Sequence, residues 1–411
     1  MRSAPIRSHR TGAIRSTDSG GSLAAETTTN HRRNTARVLL AASCAVAVLG
    51  GAAGCQRGTG IGEKPRPLSP GTALGGPGDA PGHFIKPRAI DSDGRHLVVI
   101  DRSGRIQVID PEAGQCVAVW RLPDTHLGFP TGLTLAPSPR GDGAQAVWVA
   151  DTHYNRVLVY AMPPLPTDGS MSTVQPEVLL ELGTYGTGAG EFTYPSDVLV
   201  LTEPDGRSIK RVYVSEFGGH DRVSVFEPAA GAFRFVSQIG HAGDPSEADG
   251  FQRPQALVLR KGSGDRADEL LITDSINHRI GRFTLDGKPI AWLNSAGVPG
   301  REPGQFWHPR GMMMLQDGTA MVVEFGNNRV QHVNLDSGEC LGLYGAPGVN
   351  DGELAEPWAI AAVGRRGFVV DARNHRLVEM KLPSAGEHFS AASGTLRPLA
   401  GGPGKPAPHH P

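Results

Sequence analysis

ELLITDSINHRIGRF, residues 269–283, is an apolar run ending on Asp274, a polar turn through Asn277 and His278, and a second apolar run opening on Arg279. Two alternating runs around a short polar turn mark a β-hairpin, and Asn277 is a residue type that tolerates positive φ. The phrase occurs six times in the chain. Its carboxylate is Asp101, Asp151, Glu216, Asp274, Glu324 and Asp371, and its cation is Arg105, Arg156, Arg222, Arg279, Arg329 and Arg376. Successive acidic residues stand 50, 65, 58, 50 and 47 positions apart.

That period predicts the architecture. Four strands of ~5.5 residues joined by loops of ~5 occupy about 42 residues, which is what the shorter copies hold. Val, Ile, Leu and Tyr alternate with polar residues at period two, and 55 Gly and 33 Pro punctuate the 411 residues, so helical repeats fit poorly. Units too small to bury their own faces pack side by side and close on themselves, which protects their sheet edges. The expected fold is all-β: a six-bladed β-propeller of four-stranded antiparallel blades.

Each repeat also opens alike, at Pro87-Arg88-Ala89, Pro130-Thr131-Gly132, Pro195-Ser196-Asp197, Pro254-Gln255-Ala256, Pro309-Arg310-Gly311 and Pro357-Trp358-Ala359. Proline cannot donate to a sheet ladder and belongs at the first residue of a strand. The small residue two places on, present in all but the third copy, lets backbones crowd around an axis. Phe84, Phe192, Phe251 and Phe306 each stand three residues before one of these prolines, as an aromatic wedge between blades would.

Phe-x-x-Pro-x-Gly, an apolar strand ending in Asp, and Asn-x-Arg opening the next strand together resemble the NHL repeat. The resemblance runs from about Phe84 to Leu382 and implies a six-bladed NHL ring. The first copy (DRSGR) departs from it by lacking the Asn, the third (EFGGHDR) by one extra turn residue, and the third and fifth by using Glu. Rings of this type include ligand-binding, scaffolding, RNA-binding and enzymatic members, so the likeness specifies fold far better than activity.

Before the ring, residues 1–54 read as a signal peptide of lipoprotein type. Arg32, Arg33 and Arg37 precede a mostly apolar stretch at 38–53, shorter than the ~20 residues of a bilayer span. Gly51-Ala52-Ala53-Gly54-Cys55 resembles a bacterial lipobox with Ala52 in place of the usual Leu. That resemblance makes Cys55 the lipidated first residue of an exported chain in the periplasm, on the outer membrane or at the cell surface, with simple cleavage as the alternative. Residues 55–80 are a Pro/Gly-rich tether, 81–400 the propeller and 401–411 a disordered tail. A ring-closing strand is expected either from the tether residues just before the stretch 71–87 or from 395–400.

The whole chain carries a net charge of −1. Residues 1–54 hold seven Arg against Asp18 and Glu26, so export leaves the remainder at −6. Such a chain is no general nucleic-acid binder. Cys116 and Cys340 fall at equivalent positions of the first and fifth repeats, which are not neighbours in a ring of six. No disulfide is expected, and both read as small buried hydrophobes.

The six acid–arginine pairs read as turn locks, because catalysis needs a pair once whereas every blade needs a lock. Function is sought in what varies. Residues flanking the opening prolines include Lys86, Arg88, Tyr194, Arg253, His308, Arg310 and Trp358, a basic collar on an acidic protein. The expectation is that the channel mouth binds an anionic or sugar-like ligand, with Arg88, Arg253 and Arg310 on its carboxylate or phosphate and Trp358 and Tyr194 as stacking faces. Solvated rim charge is the other reading.

The resemblance also admits an enzyme. Peptidyl-hydroxyglycine amidating lyases share the repeat class and hold an axial metal with His from several blades. His126, His153, His220, His278, His308 and His375 are available, but no trio occupies equivalent inner positions. No nucleophile elbow, phosphate loop or zinc-type Cys spacing is present. The reading is therefore a binding or scaffold module with no catalytic residue, metal or cofactor. Its partner would be an envelope protein or small ligand, the lipid its membrane contact, and a monomer its state. Inserts at 161–177, 203–211 and 261–268 are expected on the face opposite the prolines, as a docking surface or as idle loop growth.

Overall fold

The computed structural model describes residues 73–383 together with two short strands, Glu387–Phe389 and Leu396–Pro398. Residues 1–54, read above as a signal, Cys55 and residues 401–411 lie outside the described residues. The described chain is a six-bladed β-propeller. Six four-stranded antiparallel sheets stand around an axis, each inner strand packed against the two beside it, so the ring closes. The inner strands of blades 1 to 6 are Pro87–Ser92, Gly132–Pro137, Tyr194–Thr202, Pro254–Arg260, Pro309–Met314 and Pro357–Val363.

Closure uses the N-terminal side. Ala73–Gly75 is the outer strand of blade 6, with Ala73, Leu74 and Gly75 opposite Val378, Leu377 and Arg376. The ring thus begins inside the stretch read as a tether. Leu396–Pro398 pairs with Glu387–Phe389 instead.

Apolar burial lies between blades, in six clusters with one at each interface. Period-two alternation puts side chains on both faces of every sheet, and both faces meet a neighbour. Phe84, Phe192, Phe251 and Phe306 are all buried in these seams. Phe84 wedges between Ile90 of blade 1 and Phe368 and Leu377 of blade 6, a burial worth about 2–3 kcal/mol. Leu354 fills the corresponding place between blades 5 and 6. At the seam of blades 1 and 2 Leu127 is exposed, and Trp120, Leu133 and Tyr160 fill the space.

The repeated acid and arginine fasten each Gly-rich approach to its own blade. In blade 4, Arg279 Nε donates to Asp274 (3.0 Å) while its Nη atoms donate to the carbonyls of Pro245 (2.9 Å) and Gly250 (2.5 Å). The other Asp274 oxygen accepts the Gln252 N–H at 2.7 Å. Asp101, Glu216, Glu324 and Asp371 likewise accept the N–H of Ile85, Thr193, Trp307 and Ala355. Blade 2 departs from this pattern. There Arg156 Nε keeps its bond to Asp151 Oδ2 (2.9 Å) but its Nη atoms turn to Asp124 and Glu181 instead of loop carbonyls, and Asp151 Oδ1 has no partner among the described residues.

A second latch joins neighbouring blades. The residues before four opening prolines, Lys86, Arg253, His308 and Glu356, have φ of 48°, 59°, 50° and 50°. That left-handed backbone costs on the order of 1–2 kcal/mol for an L-residue. It aims each N–H at a turn side chain of the preceding blade: His375 Nδ1 (3.2 Å), Asp221 Oδ1 (2.5 Å), His278 Nδ1 (3.1 Å) and Asn328 Oδ1 (2.7 Å).

Small residues near the axis are required by close approach. A Cβ on Gly311 would meet Ala359 Cα at 2.6 Å and the Trp358 carbonyl oxygen at 2.7 Å. Gly311→Val is therefore expected to wedge blades 5 and 6 apart at a cost of about 3 kcal/mol. Denaturant unfolding checks it: the midpoint falls while the slope is unchanged.

The insert at 161–177 does not stay on the far face. Ser172 exchanges backbone hydrogen bonds with Val117 (2.9 Å) and Val119 (3.0 Å), laying the insert along the exposed edge of blade 1. The insert at 261–268 sits by a charge network in which Asp336 pairs with Arg260, Arg266 and Arg282. Cys116 and Cys340 are free thiols, half-buried rather than buried, each directed at a carbonyl of its own strand.

Candidate binding site at the axial channel

The six inner strands enclose an axial cavity of about 380 Å³. Pro87, Pro195, Pro254, Pro309 and Pro357 stand opposite the turn acids Asp101, Glu216, Asp274, Glu324 and Asp371 in the strand registers. The opening prolines and the acid turns therefore share one face, and the residue after each proline rims the channel.

Three of the predicted residues, Arg88, Arg310 and Trp358, line the cavity. Arg310 is 8% exposed. Its guanidinium lies 4.1 Å from the ring centre of Phe325 and 3.9 Å from that of Trp358, and Arg88 lies 3.7 Å from the same indole. Arg253 does not line the cavity, but it stacks on Phe217 at 4.4 Å and repels both other guanidiniums. Aromatic faces hold the three cations in place without neutralising them.

Charge balance at this mouth is incomplete. Arg310 Nε and Nη1, Arg253 Nε and Gln255 Nε2 are buried donors with no hydrogen-bond partner among the described residues. Burial, then the nearby Arg102, lowers the Arg88 guanidinium to about 10. Burial, then Arg253 and Arg88, pulls Arg310 well below the ordinary arginine range, and burial lowers Arg253 as well. Arginine stays charged under such pressure. Of the nearby acids, Glu356 already pairs with Arg373 at 3.1 Å and Asp221 accepts backbone N–H groups.

The remaining collar residues are placed differently from the expectation. Lys86 serves the interblade latch through its backbone and is not on the cavity wall. His308 lines a neighbouring groove between blades 5 and 6, with Nδ1 3.1 Å from the Ser275 carbonyl. Tyr194 stacks on Phe217 (centroids 5.4 Å apart) and sits outside the cavity. Trp358 offers no open face, because Arg88 and Arg310 occupy it. For Lys86 and His308 the reason is local: left-handed backbone before the proline takes the side chain off the cavity wall, whereas the residue after the proline lines it.

Among the histidines, His153, His278 and His375 use Nδ1 on backbone N–H groups of Phe129, His308 and Lys86. No group of three or more metal-ligating side chains occurs among the described residues.

Two channel residues were missed. Asp91 and Asp197 lie deep in the ring with part of their surface in the cavity. Asp91 Oδ2 accepts the Leu135 N–H of blade 2 at 2.7 Å, and Asp197 Oδ2 the Leu257 N–H of blade 4 at 3.0 Å. Asp197 had a signal, being the one large residue at a position that is otherwise Ala or Gly. Asp91 had none, since other repeats place Thr, Leu, Val, Met and Ala there.

Burial raises Asp91 to about 6 and Asp197 to about 7. A carboxyl raised in the folded state binds its proton more tightly there than in the unfolded chain. Stability contributed by these groups thus falls as pH rises from about 4 to about 7. Asp197→Asn keeps an acceptor for Leu257. The variant is expected to gain Tm over the native chain at pH 8 and to lose that advantage at pH 4; a pH-independent difference would contradict the assignment.

No family model matches the chain, and no curated protein is similar to it in sequence. Solved structures share its fold. A structural-genomics protein of unknown function from Bacteroides thetaiotaomicron has a TM-score of 0.51 at 14% identity, over 76% of this chain and 72% of that one. An auxiliary nutrient binding protein from Bacteroides ovatus has a TM-score of 0.50 at 15% identity, over 75% and 72% of the two chains. A catalytically inactive virginiamycin B lyase from Staphylococcus aureus aligns more loosely, with a TM-score of 0.46 at 17% identity, over 77% and 90%. At these identities the likeness is one of fold.

Proposed function

We propose that the chain is an NHL-type propeller that binds an anionic or sugar-like ligand at the mouth of its axial channel, and that it does so at the cell envelope as an exported protein anchored through Cys55. The observation that carries the binding reading is Arg310, a buried guanidinium with two unpartnered N–H groups facing a cavity. Rim charge in solvent would not be buried or stacked, and a purely structural arginine would have an acid or carbonyl partner, as Arg279 does. The auxiliary nutrient binding protein among the structural neighbours adds a ring of similar shape described as a binder.

Titration calorimetry on the full-length chain tests it with galacturonate, glucose phosphate, sulfate and neutral glucose. Anionic ligands are expected to bind and to weaken as salt rises. Equal heats for glucose and galacturonate, or anion heats unchanged in Arg310→Met, would reject the reading. Envelope attachment is checked separately: Cys55→Ser is expected to move the protein from the membrane to the soluble fraction.

A further inference from the structure

The channel is charged at two levels. Arginines crowd the proline face, while Asp91 and Asp197 lie on the same wall further in, and Arg88 and Asp91 are three residues apart on one strand, ~10 Å in extended chain. Resting on the reading of the mouth as an anion site, we propose that the channel takes a small zwitterion end-on. Its anionic group meets Arg310 and Arg88, within the field of Arg253, and its ammonium group lies deeper between Asp91 and Asp197.

The lower level offers acceptors. Asp91 spends its oxygens on the N–H groups of Ser92 (2.8 Å) and Leu135 (2.7 Å), and Asp197 Oδ2 is held by Leu257, so backbone fixes both carboxylates without neutralising them. Among the described residues neither makes an ion pair with a basic side chain. Thr134, on the blade between theirs, donates its hydroxyl hydrogen to the Val198 carbonyl at 2.6 Å, which leaves its oxygen as an acceptor. Each carboxylate also repels the other. An ammonium group supplies what both lack, and as a donor of three hydrogen bonds it suits several acceptors at once.

The unpartnered atoms of the upper level are all donors: Arg310 Nε and Nη1 and Gln255 Nε2. A bare anion would satisfy this level and leave the lower one unmet, and a dianion would meet repulsion below. Opposite charges on one ligand meet both needs. At the level of Asp197 the other five strands carry only Ala89, Gly132, Ala256, Gly311 and Ala359, leaving room for a slim linker to pass toward Asp91. The raised proton affinities of the two carboxyls have burial as their largest cause, and a bound cation would bring them down again.

Calorimetry with matched pairs separates this inference from the one beneath it. The probes are butyrate against γ-aminobutyrate and caproate against ε-aminocaproate, on the full-length chain, with alkylamines as the cation-only arm. At least one ω-amino acid is expected to bind tenfold or more tighter than its carboxylate partner, with the advantage changing along the series. Asp91→Asn with Asp197→Asn should erase that advantage and leave carboxylate binding alone, whereas Arg310→Met should weaken both ligands. Equal binding of each pair to the native chain overturns the zwitterion and leaves the anion site standing. Absence of binding by any carboxylate or ω-amino acid overturns both. The pairwise comparison on native protein decides the matter even where the double variant fails to fold.

Discussion

Arg310→Met is expected to cost the protein its anion and to make the unliganded ring more stable. A charge-assisted hydrogen bond contributes about 1.5–3 kcal/mol, so losing the guanidinium should weaken a bound carboxylate or sulfate on the order of a hundredfold. The opposite effect on stability follows from what surrounds the side chain. Its stacks on Phe325 and Trp358 are worth about 0.5–2 kcal/mol each. Holding a cation out of water without a counter-charge, next to Arg88 and Arg253, costs several kcal/mol. Methionine keeps most of the packing and removes the charge, so a Tm rise of a few degrees is expected in the ligand-free protein. Calorimetric scanning with and without sulfate reads both effects. A variant that loses Tm while binding sulfate as before would mean that Arg310 serves the fold.

The opposite behaviour is expected from the turn locks. Arg279 is 1% exposed, reaches Asp274 and two loop carbonyls, and stacks 3.7 Å from the ring centre of Trp292. Arg279→Ala strands a fully buried carboxylate and two carbonyls, and a loss of about 3–5 kcal/mol is expected. Arg156→Ala in blade 2 should cost less, about 2 kcal/mol: it also strands a buried carboxylate, Asp151, but frees no loop carbonyl. Its other partners Asp124 and Glu181 are exposed and add little, and Asp151 already lacks a partner for Oδ1. Urea unfolding of the two variants side by side checks the ranking. Equal losses would show that the loop clamp, present in blade 4 and absent in blade 2, adds nothing to the pair itself.

Much of this was legible in the sequence because the same solution is written six times. Each Pro and acid recur where a strand must begin and where its hairpin must turn, and Phe84, Phe192, Phe251 and Phe306 mark the seams they fill. The closing strand was not legible, since three residues such as Ala73–Gly75 have no pattern of their own. The reach of each acid to an N–H in its own approach loop was hidden for a similar reason, because it depends on the loop's return path.

The collar was half right. Counting residues on both sides of each proline treated them alike, while left-handed backbone at Lys86, Arg253 and His308 turns one side outward. Phe217 and Phe325 carried a readable signal: each directly follows one of the two turn glutamates, and each carries an arginine over its ring. Asp91 was invisible, being one acidic residue in a strand with no counterpart elsewhere.

The ring holds buried guanidinium nitrogens at its mouth that no described acid or carbonyl satisfies, and a ligand anion is proposed to meet them. A crystal structure of the protein grown in selenate, with the anion located by its anomalous signal, tests this most directly. The prediction is selenate at the proline face of the channel, bonded to Arg310 Nε and Nη1 and flanked by Arg88 and Arg253. Selenate bound elsewhere on the surface, with the three guanidiniums at the mouth contacting none, would contradict it.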